Sequence, residues 1–111
     1  MAKYSMSLSG DYKTILEKID SAILDGSFSA SYEDGVLCSE NGYVSAMRVY
    51  ERYSFMGGNR VSMSVFICGR ENRYSVTLIT SGGSQATFFK MNTIGEESFL
   101  DTVVSALEEM E

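Results

Sequence analysis

Apolar and polar residues alternate through most of this chain, which is the period of a β-strand with one covered face. The predicted strands share this pattern and cover residues 4–8, 27–32, 36–38, 43–55, 61–67, 74–78 and 85–91. Glu33-Asp34-Gly35 interrupts the second of them as a bulge, a bend or a tight turn, and the pattern leaves these three open.

Two segments have helical spacing instead. The first runs from Asp11 to about Asp25, and Gly26 suits its C-terminal cap. The second follows Thr93-Ile94-Gly95 and has two glutamates in its first turn, where the helix dipole favours acids. Each helix has one apolar stripe, so we expect both helices to cover one side of a sheet.

The turns between the strands predict a register. Asn41-Gly42 and Gly82-Gly83 are typical of two-residue hairpin turns. Between them we expect a three-residue loop at 57–59 and a four-residue turn at 69–72. This register makes apolar residues face apolar residues, and it predicts the pairs Tyr32–Glu51, Tyr53–Met63, Val49–Ile67, Met63–Leu78, Val65–Val76, Ile67–Tyr74, Val76–Phe89 and Tyr74–Met91.

One consequence concerns the long strand 43–55. Its odd-numbered residues, with Glu51 among them, are expected to face the helices, and Arg48, Tyr50 and Arg52 are expected to face away. The predicted fold is α+β and two-layered, in the order β-α-β-β-β-β-β-α, with a curved antiparallel meander sheet and both helices on one face. We expect one domain over residues 1–111.

That order of elements resembles the helix-grip and TATA-binding-protein-like folds, in which an antiparallel sheet curves around a C-terminal helix. The resemblance concerns topology and carries no function with it.

Charge is distributed unevenly along the chain. The net charge is −6, yet residues 43–92 hold six arginines and lysines against two glutamates, while the rest holds three lysines against thirteen acids. Overall acidity argues against non-specific nucleic-acid binding, whereas the basic middle leaves room for one anionic ligand.

Few residues suited to catalysis are present. The chain has no His, the commonest general base and metal ligand. Cys38 and Cys68 fit no metal or redox spacing, and reduced cysteines on strands indicate the cytoplasm. No apolar run is long enough to cross a membrane. We therefore expect neither a catalytic residue nor a cofactor or metal.

Two regions are candidate sites. The sheet face away from the helices is expected to collect basic and aromatic residues that could bind an anion or nucleotide, namely Arg48, Tyr50, Arg52, Arg73 and Lys90. The same face is expected to carry Phe66, Ile79 and Phe88, which favour a homodimer interface. An ordinary solvated face is the alternative to both.

The second region lies between sheet and helix. Glu51, predicted on the covered side near Tyr53 and Gln85, could line a pocket for a small or lipid-like molecule, or it could be a peripheral carboxylate bonded to a Tyr or an Arg. The glycine-rich segment 80–85 joins two predicted strands, so we interpret it as a hairpin turn and not as a phosphate loop.

Several segments together resemble a family of short, uncharacterised bacterial proteins catalogued as a domain of unknown function. They are Met1-Ala2-Lys3-Tyr4, Arg48-Val49-Tyr50-Glu51-Arg52-Tyr53-Ser54, Thr80-Ser81-Gly82-Gly83-Ser84-Gln85-Ala86 and Gly95-Glu96-Glu97-Ser98-Phe99-Leu100. The resemblance covers the whole chain, implies a bacterial cytoplasmic protein, and transfers no activity. The sequence thus favours a non-enzymatic binding or self-association module.

Overall fold

A computed structural model describes residues 2–26, 29–53, 60–82, 100–101 and 103–110. Its elements are β1 (Ala2–Ser9), α1 (Tyr12–Asp25), β2 (Ser31–Glu40), β3 (Tyr43–Tyr53), β4 (Arg60–Arg70) and β5 (Arg73–Gly82). Residues 100–101 and 103–109 are helical and are called α2 here. The predicted strand 85–91 and the start of the second predicted helix lie outside the described residues.

The five strands form one antiparallel sheet in the order β1-β5-β4-β3-β2. This arrangement confirms the α+β class and the meander from β2 to β5. The N-terminal strand β1 pairs with β5, so that Met6 lies opposite Val76 and Leu8 opposite Tyr74. The predicted pairs Val76–Phe89 and Tyr74–Met91 are therefore wrong, because both edges of β5 are occupied, by β4 and by β1.

The β2–β3 hairpin has the two-residue turn that Asn41-Gly42 predicts. Asn41 (φ 53°) and Gly42 (φ 80°) both adopt the left-handed conformation that such a turn requires. The register shifts between Tyr32 and Asp34, so the interruption of the strand is a β-bulge at Glu33. Tyr32 consequently lies opposite Tyr50 instead of Glu51.

The β4–β5 hairpin differs from its prediction by an even number of residues. Its turn is the pair Glu71-Asn72, both left-handed (φ 54° and 62°), instead of four residues. Ile67 therefore pairs with Val76 where Tyr74 was predicted. A slip of two residues moves the partners along the strand and keeps every side chain on its predicted face.

The β3–β4 pair differs by an odd number. Tyr53 lies opposite Arg60, and Tyr50, not Tyr53, lies opposite Met63, a slip of three residues from the predicted register. An odd slip inverts a face. The even-numbered residues of β3 therefore face the helices, and the prediction that Arg48, Tyr50 and Arg52 face away from them is wrong.

One apolar core lies between the sheet and the helices. α1 contributes Ile15, Leu16, Ile19 and Ile23, and α2 contributes Leu100, Val103 and Leu107. The sheet contributes one face only, through Leu8, Val44, Ala46, Tyr50, Val61, Met63, Val65, Ile67, Tyr74, Val76 and Leu78. Both helices thus contribute to a core that the sheet meets with a single face, as the amphipathic stripes predict.

The ends of α1 follow the sequence signals. Asp11 is extended (φ −74°, ψ 130°) and its carbonyl accepts the first helical hydrogen bond, from the Ile15 amide at 3.1 Å. Gly26 is the C-cap with an ordinary φ of −86°, so it needs none of the left-handed freedom of glycine. The helix places Asp20 at the middle of its length, above β3.

Candidate functional site

The covered face of the sheet holds a polar cluster built around Tyr50. This side chain is fully buried, and its hydroxyl donates a hydrogen bond of 2.8 Å to Asp20 Oδ1 on α1. Arg48, two residues earlier on the same face, places its guanidinium 3.6 Å from the same carboxylate oxygen. A helix carboxylate therefore neutralises a sheet arginine and satisfies a buried phenol at once.

Tyr32 from the edge strand completes this cluster. The Tyr32 ring packs edge to face on the Tyr50 ring, with their centroids 5.6 Å apart. The guanidinium carbon of Arg48 lies 5.8 Å from the centroid of the Tyr32 ring. The glycine in the next row makes room for it, because a Cβ on Gly35 would lie 2.6 Å from the Tyr32 hydroxyl. The bulge at Glu33 is what puts Tyr32 beside Tyr50.

Burial dominates the electrostatics of the cluster. Desolvation raises the pKa of Tyr50 to about 12, so the phenol stays protonated through the neutral range. A hydrogen bond with Tyr50 is the main reason that the pKa of Arg48 is raised. Burial lowers the pKa of Arg52, the next covered residue of β3, which lies opposite Val61.

A groove of about 220 Å³ runs between α1 and the edge strand β2. Leu16 and Leu37 line it together with Ala46 and Arg48. The helices do not cover this edge of the sheet, since Leu37 remains 55% exposed. The groove is smaller than the roughly 300–1,000 Å³ of ordinary small-molecule sites.

The opposite, open sheet face carries no buried residue within the described strands. Its most apolar part is a cross-strand row in which Val36 pairs with Met47 and Met47 with Phe66. In the next row Val49 and Ile79 flank Ser64. We call these five apolar residues the apolar patch. Its central row is 40–60% exposed, in contrast to the sealed core on the other side.

Ion pairs lie at one end of this open face. Arg60 contacts Glu51 at 2.7 Å and Glu33 at 3.7 Å, and its guanidinium lies 5.6 Å from the ring centroid of Tyr53. Glu51 is therefore a surface carboxylate paired with an arginine, and its predicted position on the covered face is wrong. The odd slip of β4 explains the change.

The structure separates the residues that the sequence grouped into one anion site. Arg48, Tyr50 and Arg52 lie on the covered face, and Arg73 lies on the open face. Phe66 and Ile79 are on the open face as predicted. Gln85, Phe88 and Lys90 lie outside the described residues.

Sequence reasoning missed Asp20 and Tyr32 as members of the Tyr50 cluster, and it missed Val36, Met47 and Val49 as members of the apolar patch. In the sequence, Asp20 is an ordinary polar position of an amphipathic helix. Only its position above β3 in the tertiary structure brings it into contact with Tyr50 and Arg48. For Tyr32 a signal was present, since Glu33-Asp34-Gly35 was recognised as a bulge candidate and a bulge changes the partner of every earlier residue on its strand.

Metal-binding groups are scarce. Among the residues that the structure describes, no group of three or more Cys, Asp or Glu side chains is placed to hold a metal ion. Cys38 and Cys68 are free thiols on β2 and β4, and both belong to the open face. In the same described part of the chain, no helix has the length and apolarity that a membrane span requires.

Comparison with known families agrees with the segments quoted above. The model of DUF6054, a family of unknown function, matches residues 1–111. The chain belongs to this family. Membership in DUF6054 confirms the whole-chain resemblance seen in the sequence, and it brings no activity with it. No curated protein matches the sequence.

Proposed function

We propose that the protein is a non-enzymatic module that associates with a second copy of itself through the open sheet face. The observation that carries this proposal is the apolar patch. Phe66 is 43% exposed at its centre, and Val36 and Met47 extend the row to the sheet edge with 60% and 40% exposure.

Exposure of the apolar patch to water is unfavourable in free energy. Burying apolar surface is favourable by about 25 cal/mol per Å², and contiguous apolar patches on soluble chains mark interaction sites more often than scattered residues do. Asp34 and Lys3 flank its second row, and the short side chains of Ser45, Ser64, Ser75 and Thr77 lie beside the rest. These short side chains leave the aromatic and aliphatic groups of the central row exposed.

A second copy fits this surface in size. Five strands about 4.8 Å apart and about eight residues long give a face of roughly 600 Å², close to the roughly 800 Å² that each partner contributes to a standard interface. A two-fold axis lying in the interface plane would place the apolar patch of one copy on that of the other. Two sheets then pack face to face, as in other layered proteins.

A small-molecule site is the weaker alternative. The residues predicted to line it, Glu51 and Tyr53, lie on the open face beside Arg60 and enclose no cavity with the helices. The groove along β2 is small, and Arg48 at its polar end is already engaged by Asp20. Self-association is therefore the function that the geometry supports best.

Light scattering coupled to size-exclusion chromatography tests the proposal. We expect the wild-type mass to rise with concentration towards twice 12.3 kDa. Phe66→Ser should weaken the association by at least tenfold, since a central aromatic anchor carries about 2 kcal/mol or more of binding free energy. Leu37→Ser is the matched control, because Leu37 is at least as exposed as Phe66 but lies on the helix side of the sheet.

Two results would overturn self-association through this face. One is a wild-type mass that stays at the monomer value over the whole concentration range. The other is an equal effect of Leu37→Ser and Phe66→Ser, which would indicate unspecific adhesion of apolar side chains. A monomeric Phe66→Ser variant with wild-type circular dichroism, beside an associating Leu37→Ser variant, is the supporting outcome.

A further inference from the structure

We propose that the end of the open sheet face beside the β4–β5 turn binds a small tetrahedral oxyanion, a phosphate or sulfate group, through Arg70 and Arg73. This site is separate from the apolar patch and does not depend on self-association. It keeps Arg73 from the anion site expected from the sequence, and it has Arg70 in place of Arg48 and Arg52, which lie on the other face.

The two arginines stand directly opposite each other. Arg70 ends β4 and Arg73 begins β5, they form a cross-strand pair on the open face, and both are exposed. Like charges directly opposite each other destabilise an antiparallel pair. A bound dianion between them would turn this repulsion into two favourable contacts.

Neither arginine is neutralised by a described residue. Arg48 pairs with Asp20, and Arg60 pairs with Glu51 and Glu33. Across the described ranges, Arg70 and Arg73 make no ion pair, although Glu71 occupies the turn between them. The left-handed backbone of Glu71 (φ 54°) belongs to the turn itself.

A hollow of about 530 Å³ lies beside this pair on the open face. Its polar lining residues include Arg73, Ser7, Ser9, Ser75, Tyr43 and Cys68, and Arg70 adjoins the hollow only as the cross-strand partner of Arg73. Among the described residues, no carboxylate lines it. A hydrogen bond with Cys68 raises the pKa of Tyr43.

Backbone contacts join the segments around the hollow. Gly69 has φ 151°, and a Cβ there would lie 2.1 Å from the Arg73 carbonyl oxygen, so β4 and β5 approach closely only because residue 69 is glycine. The Gly10 amide donates a hydrogen bond of 2.9 Å to the Asn72 carbonyl, which ties the turn to the β1–α1 connection. The segments that carry the lining residues are therefore joined to one another through their backbones.

The lining chemistry selects the ligand. Guanidinium groups bind oxyanions through paired, charge-assisted hydrogen bonds, and hydroxyls add further donors. A hollow that offers hydroxyl donors and one arginine, with a second arginine beside it and no described carboxylate in its lining, favours an anion over a cation or a sugar. Three serines around one corner suit a compact group with several oxygens, as in phosphate and sulfate.

The test is a titration of the full chain with sodium phosphate and sodium sulfate, against sodium chloride at equal ionic strength. We expect a saturable rise in Tm of a few degrees with both oxyanions, because a ligand that binds only the native state stabilises it. Amide NMR shifts should change at Ser7, Ser9 and Ser75. The double variant Arg70→Gln/Arg73→Gln should bind phosphate at least tenfold more weakly than the wild type. Arg60→Gln, which changes an exposed arginine of the same face, should bind phosphate as the wild type does.

One further readout separates this site from the proposed self-association. In chloride alone Arg70→Gln should raise Tm slightly, because it removes the like-charge pair. Phosphate shifts that persist in Phe66→Ser would support the site whatever the fate of the dimer. Three results would each overturn the site. One is an equal effect of phosphate and chloride on Tm, and another is that the double variant retains the phosphate-induced NMR shifts. The third is a double variant whose only change is a lower oligomer mass.

Discussion

The two faces of β3 contrast in an unexpected way. The face turned to the helices carries Arg48, Tyr50 and Arg52, whereas the open face carries Met47, Val49 and Glu51. Tyr50 is fully buried, while Met47 is 40% exposed. Hydropathy alone would place these residues the other way round. The difference teaches that a polar residue can be covered wherever the covering element brings a partner for it.

The covered face has such partners and the open face lacks an equivalent cover. Asp20 on α1 accepts the Tyr50 hydrogen bond and pairs with Arg48, and the arginine stem adds apolar surface. On the open face, Phe66 sits among short hydroxyl side chains with solvent above it. The polar residues at the centre of the covered face therefore find their partners within one chain, whereas the open face presents the surface that a second copy would cover.

Truncating one aromatic residue on each face should give the largest difference in stability between the two faces. Tyr50→Ala leaves a cavity under α1 and removes the partner of Asp20, so we expect a loss of about 3–5 kcal/mol in the free energy of unfolding. Phe66→Ala removes a half-exposed ring and should cost about 1 kcal/mol or less. Urea unfolding at a concentration where the wild type is monomeric measures both.

A contrary result would be informative. Equal losses for the two truncations would show that the open face is structurally as important as the covered one. Circular dichroism of Tyr50→Ala at low temperature checks that the variant still folds, so that its lower urea midpoint reports stability.

Removing only the Tyr50 hydroxyl should have an intermediate effect on the free energy of unfolding. Tyr50→Phe keeps the ring against Tyr32 and loses the hydrogen bond to Asp20, which remains partly solvated. We expect a loss of about 1–2 kcal/mol near neutral pH. Differential scanning calorimetry of wild type and variant measures it.

The same pair of proteins has a predicted pH dependence. Folding raises the pKa of Tyr50 from 10.0 to about 12, so above pH 10 the unfolded chain releases this proton before the native one. The stability from this group is present below pH 10 and is lost as the pH rises towards 12. The wild type should therefore lose its advantage over Tyr50→Phe in that window, and a constant difference up to pH 12 would contradict the assigned burial effect.

The smallest effect is expected from the ion pairs of the open face. Glu51→Gln removes the 2.7 Å contact with Arg60, yet that contact is largely exposed, so we expect a change within about 0.5 kcal/mol that shrinks further in high salt. Asp20→Asn is the covered-face counterpart and should cost more, because it weakens the support of a buried phenol. Urea midpoints at low and high salt check the order of the two.

The register shows how far the sequence alone could reach. Asn41-Gly42 specified its hairpin because both left-handed positions suit these residues. The β4–β5 turn used Glu71 in a left-handed conformation, which Glu rarely adopts, so the predicted register slipped by two and the faces survived. Between β3 and β4 the predicted register was wrong by three residues, and this odd slip moved every candidate residue of β3 to the other face; the predicted loop itself lies outside the described residues.

Within the described residues, the sequence by itself determined strands β1 to β5, helix α1 with its apolar stripe, the antiparallel meander from β2 to β5 and the open-face position of Phe66, because these depend on local periodicity. Only the tertiary structure decided which face of β3 is covered, since both faces carry apolar residues and the helix partner Asp20 is far away in sequence. It also decided that Arg70 pairs with Arg73, because the turn between them has two residues where the sequence pattern predicted four. The position of β1 beside β5 arises from a contact between distant segments, which no local pattern encodes.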